Sequence, residues 1–185
     1  MSVDAVTYAK LREVARQLPR IPGAGRVEIA HGGIVMMLPP VHRHELAVLR
    51  LSRQLDEQLP DTHPEHVVQA GAPLEDPGLG RLRRPDLMVF REGALEEDPP
   101  SVPPADVLLT VEVVSKSNPE NAYEEKVRDY AAMGIPLYLL VDPRDGTGIV
   151  HAQPRYASRE RFVFGDAIKV GPWQLDTSVL LTYGP

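Results

Sequence analysis

Apolar positions along this chain follow two periods. Residues 4–18 repeat at helical spacing, with Val6, Leu11, Val14, Ala15 and Leu18 toward one side. Residues 43–59 do the same through Val48, Leu51, Leu55 and Leu59. Between them, Val27–Ala30 and Ile34–Leu38 are short β-type runs, and His31-Gly32-Gly33 can supply the positive φ of a tight hairpin. After residue 66 strand runs dominate: Val67–Ala70, Asp86–Phe90 and Val107–Val114, the last apolar on both faces apart from Thr110 and Glu112, as in a central strand. Residues 119–133 predict a helix, with Pro119 in its first turn and Gly134 at its C-cap. Leu137–Val141 is a further buried strand, and Ile149–Ala152, Arg161–Phe164 and Trp173–Leu175 are weaker strand predictions. Pro39-Pro40, Pro99-Pro100 and Pro103-Pro104 mark loops. The sum is one mixed α/β domain over residues 1–185.

Composition narrows the chemistry. With no cysteine, thiol catalysis and cysteine-ligated metals are excluded, and a cytoplasmic setting is the expectation. No apolar run approaches the roughly 18 residues of a membrane span, and the first residues lack an export signal's apolar core. The net charge of -6 is uneven: residues 1–84 carry 11 basic and 10 acidic side chains, residues 85–185 carry 9 and 16. Such a chain binds polyanions only through a local basic patch. Lysine is scarce, at 4 against 16 arginines.

Against this background three residues are out of place. Asp86 opens an apolar strand behind Pro85, Glu112 lies within a strand that is apolar on both sides, and Lys126 lies on the helix that follows it. A carboxylate in a central strand costs several kcal/mol unless it is paired, protonated or bound to a cation. A spacing of 26 positions allows Asp86 and Glu112 to meet at one end of two adjacent strands. Two hard oxygen donors with open positions suit Mg²⁺ or Mn²⁺, which keep water and take phosphate oxygens. A nearby lysine adds charge for the phosphate or the attacking water. The alternative is a buried ion pair without turnover.

The order of Arg84-Pro85-Asp86 with Leu87–Phe90, then Glu112 through Ser115, then Lys126 and Tyr130, then Gly134-Ile135-Pro136 leading to Asp142-Pro143, resembles the Uma2 family of restriction-endonuclease-like proteins, within the PD-(D/E)XK nuclease superfamily. Glu28 with Gly32, and Pro39-Pro40 with His44, resemble the family's opening hairpin and helix start, so the likeness is strongest over residues 27–142. The resemblance implies a restriction-endonuclease-like core, a mixed central sheet flanked by helices, with an added N-terminal helix and hairpin. It implies a Mg²⁺- or Mn²⁺-dependent endonuclease acting on DNA, with Asp86 and Glu112 as metal ligands and Lys126 as the third catalytic residue. The motif's usual lysine position is Val114 here, and Lys126 occupies the displaced place on the next helix. Where the family often carries an acid after the hairpin glycine, this chain has Gly33. Glu28, His44, Ser115 and Tyr130 become peripheral members of the site. By analogy a homodimer would present two sites to a duplex. The competing reading is a fold kept for nucleic-acid or protein binding, with turnover weak or lost.

The remaining residues have quieter alternatives. Arg43, Arg81, Arg83 and Arg84, with Arg50 and Arg53, either form a backbone-binding patch or a solvated basic surface. His42 and His44, two apart, do not share a helix face, which disfavours zinc. His31, His63, His66 and His151 read as solvated. Tyr123, Tyr130 and Tyr138 read as core or sheet-covering, and Glu124 and Glu125 as the wet side of their helix. With ten aromatic residues, an aromatic platform for single strands is not expected. No triad order and no phosphate-binding glycine loop is present.

Overall fold

The computed structural model describes residues 3–18, 25–96, 98–116 and 119–184. Its centre is a six-stranded mixed sheet, built from β3 (His66–Ala70), β6 (Leu87–Arg91), β7 (Val107–Val113), β8 (Leu137–Asp142), β9 (Thr147–Ala152) and β10 (Ser158–Val163), in the order β10-β9-β8-β7-β6-β3. Only β7 and β8 run parallel. A parallel neighbour cannot be reached by a tight turn, and the crossover here carries α3 (Lys126–Ala132), preceded by a wide π-helical turn over Asn121–Glu125. The helix predicted over 119–133 is therefore two helical forms in series.

Strand alternation explains the double-sided apolar runs. Leu87, Val89, Leu109, Val111, Val113, Leu139 and Val141 face α2 (His42–Thr62) through its buried Val48, Leu51, Leu55 and Leu59. Met88, Phe90, Tyr138 and Leu140 face the other way, toward Tyr130 on α3. Both layers are closed to solvent, so β7 and β8 have no wet face. A ribbon of β11 (Ala167–Val170) and β12 (Trp173–Asp176) closes the α2 side, where fully buried Trp173 donates its indole N–H to Thr62.

A second sheet orders β2-β1-β5-β4, from β1 (Val27–Ala30), β2 (Gly33–Met36), β4 (Leu74–Asp76) and β5 (Arg81–Arg83). The hairpin turn is His31-Gly32, both at positive φ. α1 (Ala5–Gln17) packs on this sheet, with the Asp4 carboxylate accepting the Thr7 N–H at its start. The stripe expected on α1 is corrected: Val6 and Val14 are exposed, and Tyr8, Leu11 and Ala15 face Ile29 and Leu82. The reason is polar. Tyr8 and Arg12 both bond Glu75, and that fixes the rotation of the helix. No helix among the described residues is long and apolar enough to cross a membrane.

Candidate active site

Glu112 faces α3 because its neighbours Val111 and Val113 face α2. The β6–β7 register pairs Leu87 with Val111, so one further step sets Asp86 opposite Glu112. Asp86 closes that ladder with its side chain: Oδ2 accepts the Val113 N–H at 2.9 Å. The same oxygen meets His44 Nε2 of α2 at 3.0 Å, and Oδ1 lies 3.4 Å from an Arg26 guanidinium nitrogen.

Lys126 and Tyr130 are one helical turn apart on α3 and converge on one atom. Lys126 Nζ is 2.8 Å from Glu112 Oε1, and the Tyr130 hydroxyl donates to that oxygen at 2.6 Å. Lys126 also lies 3.3 Å from Glu28 Oε1, on β1 of the second sheet. Glu28 accepts from Arg83 at 2.8 Å and from the Arg84 N–H at 3.1 Å. Arg83 bonds Asp129 at 2.6 and 2.8 Å, and Arg81 bonds Asp129 at 2.9 Å. A chain of buried charge thus runs from the second sheet through α3 to the centre of the main sheet.

The electrostatics follow from burial and crowding. Burial, opposed by Lys126 but reinforced by Asp86 and Glu28, pushes the Glu112 carboxyl up to about 7. Burial also opposes ionisation of Asp86, yet His44, Lys126 and the Val113 N–H hold it below its ordinary value. Glu28 is likewise held low against burial by Lys126 and Arg83. Burial disfavours charge on Lys126, and Glu112, Glu28 and Asp86 more than restore it. His44 is raised because Asp86 outweighs its burial. Within this chain of charge the buried carboxylates Glu28, Asp86, Glu112 and Asp129 surround the buried cations Arg81, Arg83 and Lys126. Arg26, at 3.4 Å from Asp86, is a fourth cation at the edge of this group, and His44 is a titratable partner of the same carboxylate.

Asp86, Glu112, Lys126, Glu28, His44, Ser115 and Arg84 line one cleft of about 480 Å³. Tyr130 lies behind it, fully buried. The arginine patch is corrected. Arg81 and Arg83 alternate inward from β5 into the ion network, Arg83 being only 1% exposed, and Arg43 donates to the Thr182 carbonyl. Of the four proposed contacts Arg84 alone lines the cleft. His151 is corrected too: alternation along β9 turns it inward, where it stacks on Tyr138 at 5.5 Å and 15°. Asp129, Arg26, Lys116 and Tyr183 are additional members of the site or its support. Asp129 carried a readable signal, since it lies three residues after Lys126 on the same helix.

A family described as "Uma2: Putative restriction endonuclease" matches residues 12–177. The chain belongs to the Uma2 family. A solved structure agrees in fold: that of a "putative nuclease belonging to DUF820" from Anabaena variabilis ATCC 29413, with TM-score 0.71 and 15% identity, covering 92% of this chain and 96% of that one. No curated protein matches. The Uma2 assignment and the shared α/β architecture agree with the expected fold, a mixed central sheet flanked by helices with an N-terminal helix and hairpin; the sheet has six strands.

Among the described residues no three His, Cys, Asp or Glu side chains gather as a self-sufficient metal cage. The donor set fits a different arrangement. Both bonds to Glu112 fall on Oε1, and the two shorter bonds to Asp86 fall on Oδ2. Glu112 Oε2 is therefore left for a ligand in the cleft, and Asp86 Oδ1 has only the long Arg26 contact at 3.4 Å. Mg²⁺ is commonly held by one or two carboxylates, with water and substrate phosphate completing its shell.

Proposed function

We propose that this protein is a Mg²⁺- or Mn²⁺-dependent endonuclease that hydrolyses phosphodiester bonds of DNA. The observation that carries this reading is the pairing of Asp86 and Glu112 across adjacent strands in one cleft, beside a charged lysine. Asp86 Oδ1 and Glu112 Oε2 would hold the cation. When bound it would supply a Lewis acid for a phosphate oxygen and lower the pKa of a bound water.

The chain's own residues prepare that site. His44 and the Val113 N–H fix the Asp86 carboxylate in one orientation. Tyr130 and Lys126 do the same for Glu112, and Lys126 stabilises its anionic form. Lys126 is also the positive group available to a phosphate in the cleft, where burial strengthens its field. Glu28, anchored by Arg83, keeps Lys126 charged and aimed.

A second reading has one observation in its favour. Lys126 is already satisfied by Glu112 and Glu28, as it would be in a fold retained for binding without turnover. The test is cleavage of labelled DNA with Mn²⁺ or Mg²⁺ by wild type, Glu112→Gln and Lys126→Met. The nuclease reading predicts metal-dependent cleavage lost in both variants. Cleavage that persists in Glu112→Gln, or is absent throughout, contradicts it.

A further inference from the structure

We infer that the substrate strand enters this cleft unpaired, so that the protein acts on single-stranded or locally melted DNA and not on continuous duplex. The inference rests on the nuclease reading and adds its substrate class. It comes first from access. The groups that would act are almost closed to solvent although they line the cleft: Glu112 is 3% exposed, Lys126 4% and Asp86 9%. The cleft, about 480 Å³, has the size that holds a single small-molecule-sized unit. One nucleotide with its phosphate is of that scale, whereas a duplex presents its phosphates on a wide cylinder and offers them less readily to groups so little exposed.

The lining supports the same occupant. Arg84 and Lys116 line the cleft and have no carboxylate partner for their side chains among the described residues: the Arg84 guanidinium donates to the Gly71 carbonyl at 3.3 Å, and the Lys116 ammonium lies 5.6 Å from the Tyr183 ring centroid. That is surplus positive charge beside the carboxylates, suited to one strand's phosphates. The rim is aliphatic instead: Leu38 is 65% exposed and Val41 51%. This rim is held in place. Gly25 N–H donates to the Met37 carbonyl at 2.7 Å, and Met37 N–H to that of Arg26 at 2.8 Å. The approach is so close that a Cβ on Gly25 would sit 2.8 Å from the Met37 oxygen. An unpaired base can lay its face on Leu38, but a paired one has no exposed face to offer. Because the rim is aliphatic, selection comes from access more than from stacking strength. A duplex must first unpair, at a cost worth a factor of about ten or more.

The test uses the full chain and fluorescently labelled oligo-dT, a bubble duplex and a blunt duplex. Binding is read by anisotropy in EDTA, and cleavage is read separately with Mn²⁺. Oligo-dT and the bubble are expected to bind about tenfold tighter than the blunt duplex and to be cut faster by a similar factor. Leu38→Glu, on an exposed side chain, is expected to weaken oligo-dT binding about fivefold. Arg84→Gln is expected to reduce the salt dependence of binding by about one phosphate contact. Equal or tighter binding of blunt duplex, or binding of none of the three, overturns the inference. Duplex cut as fast as oligo-dT also overturns it and leaves the nuclease reading standing. Oligo-dT bound selectively in EDTA but never cut supports the inference and removes turnover.

Discussion

Two buried charge clusters meet at Lys126, and they are built differently. On the side of the second sheet, Glu28, Arg83, Asp129 and Arg81 close on one another with bonds of 2.6 to 2.9 Å. That cluster satisfies itself and ties β1, β5 and α3 together. On the side of the main sheet, Asp86 and Glu112 line an open cleft, with Glu112 bonded through one oxygen only and Asp86 Oδ1 held by a single long contact to Arg26. Both clusters pay the desolvation penalty of buried charge, but only the second leaves something for a ligand. The difference separates a charge network that joins two sheets from one that lines a cleft, although both are made of the same residue types.

The largest effect should come from neutralising the open cluster. Glu112→Gln is expected to lower metal-dependent cleavage by about 100-fold or more, measured under single-turnover conditions, with its fold intact by circular dichroism. A fall of only a few-fold would place Glu112 among the structural groups.

The closed cluster should respond in stability. Arg83→Met strands Glu28 and Asp129, both buried, so a loss of about 3–5 kcal/mol is expected in urea unfolding. A loss below about 1 kcal/mol would show that the pair is dispensable and that the two clusters do not differ as described.

The contrast also has a pH signature. Glu112 titrates near 7 when folded, against an ordinary value of 4.5, so the folded chain holds a proton that the unfolded chain releases between those values. Its contribution to stability is complete below 4.5 and is lost as pH rises through about 7. Asp86 and Glu28, held low, contribute in the opposite sense: their stability is present above their ordinary values and lost as acid protonates the folded form. A cation must displace the Glu112 proton. Mn²⁺ is therefore expected to raise the melting temperature more at pH 8 than at pH 6, a difference removed in Glu112→Gln.

How much of this was legible in the chain can be read from particular residues. Glu112 stood out because it interrupts an apolar strand, and Lys126 because lysine is scarce and the following helix could bring it back. The sheet's central strands were legible because burial on both faces leaves no polar alternation to mislead. Arg81 and Arg83 misled for the opposite reason: a short Arg-Leu-Arg stretch beside glycine looks like a wet loop, and only pairing of β5 with β1 and β4 buries it. The ribbon strand β11 and the π-helical turn had no local signal, since packing against the finished sheet defines them. His151 was hidden similarly, with its inward direction set by the β9 register.

His151 gives the smallest predicted effect, and it lies outside both clusters. Its ring nitrogens have no partner among the described residues, and burial together with Arg159 draws its pKa down to about 4. A histidine kept neutral contributes stability above its ordinary 6.5 that is lost as pH falls toward 4. His151→Phe is expected to flatten this acid limb by about 1 kcal/mol, read as unfolding free energy between pH 7 and 4.5.

The central claim is that Asp86 and Glu112 together hold a divalent cation. Calorimetric titration of Mn²⁺ at pH 8 into wild type, Asp86→Asn and Glu112→Gln tests it without requiring turnover. One site per chain in wild type, lost in both variants, is the predicted result. An unchanged titration in either variant, or no binding to wild type at millimolar Mn²⁺, would contradict the claim and make the pair a buried structural feature of the sheet.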